Sequence, residues 1–202
     1  MNTSESIRRR LSDLLGDSPA AVVPVYGVVV DGVAPAARGV DRIRCAIDGL
    51  PRPFIRELAA VGARVEVVPG GCVGWHPLVK NYASRAAMGL AKPSLMVAIV
   101  PSDGLNPEGT ALHEIAHLLD FAPTRRGEDS YANRTAWGRA HAALNRVWGE
   151  MFEGMRDCPH EGFAEAFSRC FAPPPDWNSL ACPAGPPAAA LEYFRQLERE
   201  IA

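Results

Sequence analysis

The sequence predicts an α+β protein of one domain, with a small mixed sheet in its first half and mostly helices in its second half. Runs of β-branched residues bounded by glycine, proline or aspartate lie in the first half and predict strands. Amphipathic patterns with a period of about 3.6 residues dominate the second half and predict helices. The 202 residues suit a single domain spanning 1–202, because no internal repeat or low-complexity tract divides them.

The first half predicts helices and strands in alternation. Residues 1–16 predict an N-terminal helix that is capped near Ser4 and ends at Gly16. The apolar run Ala20–Val30 predicts one buried strand. Two short amphipathic helices and a β-branched strand follow, over residues 40–50, 52–62 and 63–69.

The second half predicts one further strand and then helices. Residues 70–93 predict a loop, and Ser94–Val100 predict a buried strand. Asn106 as N-cap and Pro107 in the first turn predict where the next helix begins. The remaining predicted elements are a helix over 133–152, a helix capped by Asp157, a proline-rich connector over 173–187 and a terminal helix over 188–202.

Composition argues against nucleic acid and membranes as partners. The formal net charge is −2, and no long basic run offers the surface that nucleic acid requires. No stretch reaches the ~18 apolar residues of a membrane helix. Pro24 and Asp31 interrupt the run that resembles a signal-peptide core, so we expect synthesis in the cytoplasm, with export only by a signal-less route. Five scattered cysteines without CxxC spacing argue against a disulfide framework.

The segment "TALHEIAHLLDFAP" carries the clearest chemical motif of the chain. Residues four apart on a helix lie about 40° apart around its axis, so His113 and His117 project to the same side. Glu114 lies about 100° from His113, within reach of a water held by a metal there. This HExxH spacing predicts two zinc-binding imidazoles and a glutamate that takes a proton from the water.

A core helix with two hydrogen-bonded histidines is the alternative interpretation. Burying three polar side chains without partners costs on the order of several kcal/mol, whereas a metal ion satisfies all three together. The residues around the motif are apolar, which favours the metal: Ala111, Leu112, Ile115, Ala116, Leu118 and Leu119.

A hydrolytic zinc site requires a third protein ligand. Asp120 and Pro123 stand where one class of metallopeptidase continues with a glycine and a third histidine, which excludes that class. The segment "HEGFAEAF" offers Glu161 and Glu165, four apart on an otherwise apolar helix. Two such carboxylates repel unless a cation or a donor lies beside each, which zinc at Glu161 and a histidine N–H at Glu165 would provide. An exposed acidic edge of an amphipathic helix is the alternative.

HExxHxxD followed some forty residues later by ExxAEAF resembles the lethal-factor-like zincins, which include the catalytic domain of anthrax lethal factor and the Pro-Pro endopeptidases. The resemblance covers about 120 residues, and is best over Ser94–Phe171 and weaker over 50–71. It implies a zincin-like metallopeptidase domain, with an edge strand before the HExxH helix that can pair with an extended peptide. Whether Ser94–Val100 is that edge strand or an interior strand stays open.

The resemblance also implies roles for individual residues. One zinc ion would be bound by His113, His117 and Glu161, and Glu114 would be the catalytic base. Glu165 would orient a ligand histidine and so fix its tautomer. Asp120 matches the family pattern too, either supporting His117 or serving packing alone.

The sequence departs from the family where a tyrosine stabilises the oxyanion, because Gly154 occupies that position. His160 and Tyr131 are candidate replacements, as are Arg156 and Tyr82. For His160, a helix-capping surface histidine is the alternative and the more usual role. Losing one oxyanion donor typically costs about 10²–10³ in rate, so without a replacement the activity would be low or altered.

Three functions follow from these observations. The first is a zinc-dependent endopeptidase acting on a peptide or protein substrate. The second is a zincin-fold protein with weak or no catalysis that binds a peptide or a partner, and the third is an exported effector or toxin protease. Neither the cleaved bond nor the oligomeric state is predicted by any residue of the sequence.

Overall fold

A computed structural model describes residues 21–25, 28–32, 37–74, 76–79, 87–104, 106–148, 157–172 and 188–202. The predicted helix over 1–16 and the predicted connector over 173–187 lie outside the described residues, as does Gly154.

Five strands form one mixed sheet. They are β1 (Ala21–Val25), β2 (Val28–Gly32), β3 (Arg64–Val68), β4 (Leu90–Lys92) and β5 (Val97–Pro101). The strand order is β1-β2-β3-β5-β4, with β2, β3 and β5 parallel and with β1 and β4 antiparallel at the two edges. Strand β5 therefore lies inside the sheet, and all of its residues are buried.

Six helices belong to the described residues, and they dominate the second half of the chain as predicted. They are α1 (Ala37–Asp48), α2 (Arg52–Ala60), α3 (Pro107–Phe121), α4 (Thr135–Trp148), α5 (Pro159–Phe171) and α6 (Ala188–Ile201). Short 3₁₀ turns occur at Pro93–Leu95, Ala122–Arg126 and Tyr131–Asn133. This architecture confirms the predicted α+β class. Within the described residues, no helix combines the length and the hydropathy needed to cross a membrane.

Apolar side chains pack on both faces of the sheet. Because successive strand residues point to opposite faces, Ala98 and Val100 of β5 join the larger core under the helices, and Val97 and Ile99 join a smaller one. Aromatic rings from four helices fill the larger core, and all are nearly inaccessible: Phe54, Trp137, Phe163, Phe167 and Phe194. The motif helix α3 packs against both β5 and α5, which brings the two predicted metal-binding segments together.

Two strand predictions need correction. Where one strand is predicted over Ala20–Val30, the described residues form two, β1 and β2, which pair antiparallel with Val25 opposite Val28. In the sequence, Gly27 separates two β-branched runs, and this pattern is a signal for two strands rather than one. Strand β4 falls in the predicted loop over 70–93, because its short sequence has no β-branched residue and its pairing with β5 defines it.

The strand predicted over Ser94–Val100 begins later and lies inside the sheet. Ser94 and Leu95 belong to a 3₁₀ turn that ends at Met96, whose φ of 51° is in the left-handed region. The edge strand that precedes the motif helix is therefore β4, not β5.

The predicted start of the motif helix is confirmed, and that of the glutamate helix is not. Asn106 caps α3 by accepting a 2.8 Å hydrogen bond from the backbone N–H of Gly109. At α5 the N-cap residue is Cys158, without a side-chain capping bond, so Asp157 is not the cap. Pro159 begins α5, and its fixed φ suits a first helical position without any cap.

Candidate metal centre

Helix α3 presents His113 and His117 side by side. Their ring centroids are 5.0 Å apart and their planes meet at 79°. The apolar residues between them are buried in the core, so the helix is fixed and the two imidazoles lie on its less buried side. The four-residue spacing thus produces the pair of donors that it predicted.

Helix α5 brings Glu161 against both imidazoles. Its Oε2 lies 3.3 Å from Nε2 of His113, and its Oε1 lies 3.5 Å from Nε2 of His117. One ligand atom from each of the three residues can be chosen so that all lie within 4.8 Å of one another. The side chain of Glu161 is 46% exposed, yet both oxygens face the imidazoles rather than only solvent. Two imidazoles and one carboxylate form a donor set that fits a metal ion such as zinc.

Glu165 occupies the other side of His113. Its Oε2 lies 3.5 Å from Nδ1 of His113, while Nε2 of the same ring faces Glu161. A proton on Nδ1 shared with Glu165 leaves the lone pair of Nε2 available for a metal. The second carboxylate oxygen, Oε1, accepts a 2.5 Å hydrogen bond from Nε of Arg169.

The charges of these groups complement one another. Burial lowers the pKa of His113, but hydrogen bonds to Glu161 and Glu165 outweigh it and raise the pKa to about 10. Hydrogen bonds with His113 and His117 hold the pKa of Glu161 far below its usual range. Two ionised carboxylates around one ring favour a cation, and in the metal-free protein the proton on His113 supplies that charge.

The side chain of Glu114, in α3, faces the edge strand β4. Burial raises the pKa of its carboxyl group, which His113 and His117 partly oppose, and the backbone N–H of Ala91 in β4 donates to it. Glu114 also lines a cavity of about 410 Å³ with His113, Gly89 and Arg169. A buried carboxylate with a raised pKa beside these two histidines can act as a general base.

Asp120 is fully buried and joins three segments. It accepts a 2.6 Å hydrogen bond from the backbone N–H of Ala132 and lies 2.5 Å from Nδ1 of His160. Burial raises its pKa, and the hydrogen bond with His160 opposes that shift. His160 also stacks on Phe121, with ring centroids 4.8 Å apart. Of the two predicted roles for Asp120, these contacts favour a packing role together with the orientation of His160.

The candidate oxyanion donors lie in different surroundings. Tyr131 is 1% exposed and its hydroxyl donates to Glu57 of α2 over 3.1 Å, while the guanidinium of Arg134 covers its ring. His160 adjoins Glu161 in α5, and its Nε2 has no hydrogen bond to any residue that the structure describes. Tyr82 and Arg156 lie outside the described residues.

Two residues near the centre, Arg169 and Gly89, have no predicted role. Arg169 contacts Glu165, and the four-residue spacing between them in "EAFSR" was the available signal. Gly89 lies against Glu114, at a point where a Cβ would be 2.5 Å from Oε1 of that carboxylate. No local sequence pattern predicts the contact between Gly89 and Glu114, because it depends on how the edge strand packs on α3.

The fold is similar to that of a solved peptidase structure. The PRO-PRO endopeptidase PPEP-2 from Paenibacillus alvei shares the fold with a TM-score of 0.58 and 16% sequence identity, over 85% of this chain and 97% of that chain. Neither a protein-family model nor a curated protein matches the sequence. The chain therefore shares the fold of that endopeptidase structure, and within this fold His113, His117 and Glu161 form a group that could hold a metal ion.

Proposed function

We propose that this protein is a zinc-dependent endopeptidase. The observation that carries the proposal is the convergence of His113, His117 and Glu161 from two helices, with Glu114 buried beside them. A purely structural metal site has no use for such a carboxylate, whereas peptide hydrolysis requires a base. The likeness of the fold to a known endopeptidase supports the same function.

Each residue has a defined task in this proposal. His113, His117 and Glu161 hold the metal, and Glu165 keeps the proton of His113 on Nδ1. Zinc, when bound, would polarise the scissile carbonyl and acidify a water. Glu114 accepts the proton of that water and passes it to the leaving amine, for which a carboxyl group of raised pKa is suited.

We propose that the substrate pairs with β4. This strand ends the sheet, and within the described part of the chain it pairs on one side only, with β5. Its Ala91 donates to Glu114, so a peptide added along its outer edge would pass close to the base. Extended peptides or flexible protein segments are the substrates that such an edge accepts.

The decisive experiment compares the wild type with Glu114→Gln. Both proteins are expected to contain one zinc ion, because residue 114 is not a ligand. Digestion of a peptide library, read by mass spectrometry, should detect cleavage only by the wild type and only without chelator. Removal of a general base typically lowers the rate by about 10²–10⁴. Zinc-dependent cleavage that survives Glu114→Gln would contradict the proposal.

A second candidate is a zincin-fold protein that binds peptides without cleaving them. Two observations favour it: Gly154 stands at the family tyrosine position, and the hydroxyl of Tyr131 is bound to Glu57. The same experiment separates the two candidates, because this one predicts that the zinc-loaded wild type binds peptides from the library and cleaves none.

A further inference from the structure

Arg169 is a buried cation on the helix that carries the third metal ligand. Its side chain is 6% exposed, and it lines the cavity beside Glu114 and His113. Arginine is seldom buried to this degree without a specific partner. One partner here is Glu165, whose Oε1 accepts a 2.5 Å hydrogen bond from Nε of Arg169.

The carboxylate of Glu165 divides its two oxygens between two partners. Oε1 accepts from Arg169, and Oε2 lies 3.5 Å from Nδ1 of His113. The terminal torsion of a glutamate has a broad energy minimum, so one contact alone leaves the carboxylate plane free to rotate. A charge-assisted hydrogen bond on one oxygen fixes that plane and determines where the other oxygen points.

The spacing along α5 makes this arrangement possible. Glu161, Glu165 and Arg169 are each four residues apart, so they form one row on the helix surface. The metal ligand is at one end of the row, the residue that contacts a ligand histidine is in the middle, and the arginine is at the other end. Arg169 also lies in the last turn of α5, where the helix dipole favours a positive charge.

We propose that Arg169 is a positioning residue that fixes the Glu165 carboxylate, and through it the imidazole of His113, for metal binding. The inference rests on the metal-dependent function proposed above. An ordinary helix-stabilising ion pair would give the same contact but would leave metal affinity unchanged, so metal affinity is the quantity that tests the role.

The experiment measures zinc affinity by competition with a chromophoric chelator, and the visible absorption of bound cobalt reports the ligand geometry. Residues that orient metal ligands typically contribute about 10–100-fold to affinity. We expect Arg169→Gln to weaken zinc binding by at least about tenfold and to change the cobalt spectrum. Arg169→Lys keeps the charge but not the planar guanidinium, so it should recover part of the loss. The matched control is Arg199→Gln, which removes an exposed arginine from α6 and should bind zinc like the wild type.

A double-mutant cycle with Glu165→Gln distinguishes positioning from general stability. If Arg169 acts through Glu165, Arg169→Gln should have little further effect on zinc affinity once Glu165 is replaced. An equal loss in both backgrounds would overturn the inference, as would zinc affinity in Arg169→Gln equal to that of Arg199→Gln. If Arg169→Gln does not fold, the same cycle is measured with Arg169→Lys. A wild type that binds neither zinc nor cobalt would refute the proposed function itself, independently of any Arg169 variant.

Discussion

Glu114 fits beside the edge strand because the residue opposite it has no side chain. A Cβ on Gly89 would lie 2.5 Å from Oε1 of Glu114 and 2.8 Å from Cγ2 of Thr110. Both separations are shorter than a carbon atom tolerates, so any side chain at position 89 must displace the carboxylate or the strand. The site therefore depends on a residue that contributes no functional group of its own.

Gly89→Ala should impair catalysis without removing the metal. The added methyl group displaces the Glu114 carboxylate, and a displacement of about 1 Å in a catalytic group can cost about 10²-fold in rate. We expect kcat/KM to fall by about 10–100-fold while zinc content stays at the wild-type value. The control is Gly138→Ala in α4, where a Cβ meets no atom within 4 Å. Equal activity in the two variants would show that the close approach of Gly89 is unimportant.

His160 is the better placed of the two described candidates for oxyanion stabilisation. Asp120 contacts its Nδ1 at 2.5 Å, and its Nε2 has no hydrogen bond within the described residues, so this nitrogen can donate to a substrate oxygen. We expect His160→Ala to lower kcat by about 10²–10³ with KM little changed, the usual cost of losing one oxyanion donor. Tyr131→Phe should leave kcat unchanged, because the hydroxyl of Tyr131 donates its hydrogen bond to Glu57. The reverse result in steady-state kinetics would assign the role to Tyr131.

At the scale of single elements, the N-cap of α3 stabilises the first turn of the helix that carries the HExxH motif. Asn106 accepts from the N–H of Gly109, which satisfies one of the donors that a helix leaves unpaired at this end. Asn106→Ala should reduce the free energy of unfolding by about 1 kcal/mol, whereas Asn106→Ser, which can form the same cap, should be nearly neutral. Urea denaturation of both variants measures the difference. Equal stability would mean that packing of α3 alone fixes its first turn.

The elements that the sequence predicted are those whose signals are local. Helix α3 has a capping asparagine, a proline in its first turn and an apolar surface, and all three signals lie within the segment from Asn106 to Phe121. Strand β4 has no such signal, because three residues without β-branching become a strand only by pairing with β5. Whether β5 is an edge or an interior strand likewise depends on that missed neighbour.

At the scale of the whole molecule, some residues of the candidate site have local sequence signals and others are placed only by tertiary packing. His113, Glu114 and His117 were predictable because helical geometry alone relates them. The approach of Glu161 to the two histidines was predictable by charge, since carboxylates on a largely apolar helix need a cation or a donor beside them. The contact of Gly89 with Glu114 follows from the tertiary packing of β4 on α3, which no spacing in the sequence encodes.

A metal at this centre would connect two helices more than forty residues apart in sequence, so its binding is linked to the stability of the whole fold. A ligand that binds only the folded state stabilises it by about 2.7 kcal/mol when its free concentration is 100 times Kd. The proton on His113 competes for the same position, because a metal requires the neutral imidazole. Zinc binding should therefore release this proton.

The pH dependence of this stabilisation has a definite sign. The pKa of His113 rises from 6.5 to about 10 in the metal-free fold, so its ion pairs stabilise that fold fully below pH 6.5 and are lost as pH rises through about 10. Over the same interval zinc affinity should increase by about tenfold per pH unit, because one proton is displaced for each ion bound. At a fixed concentration of free zinc, the increase in Tm caused by zinc should thus be larger at pH 8.5 than at pH 6.5.

Calorimetry in two buffers of different protonation enthalpy should count the released proton. The variant Glu161→Gln should lose most of the zinc-dependent increase in Tm at both pH values. An increase in Tm that does not change with pH would show that His113 is already neutral in the metal-free protein, and that its two carboxylate neighbours do not hold a cation there.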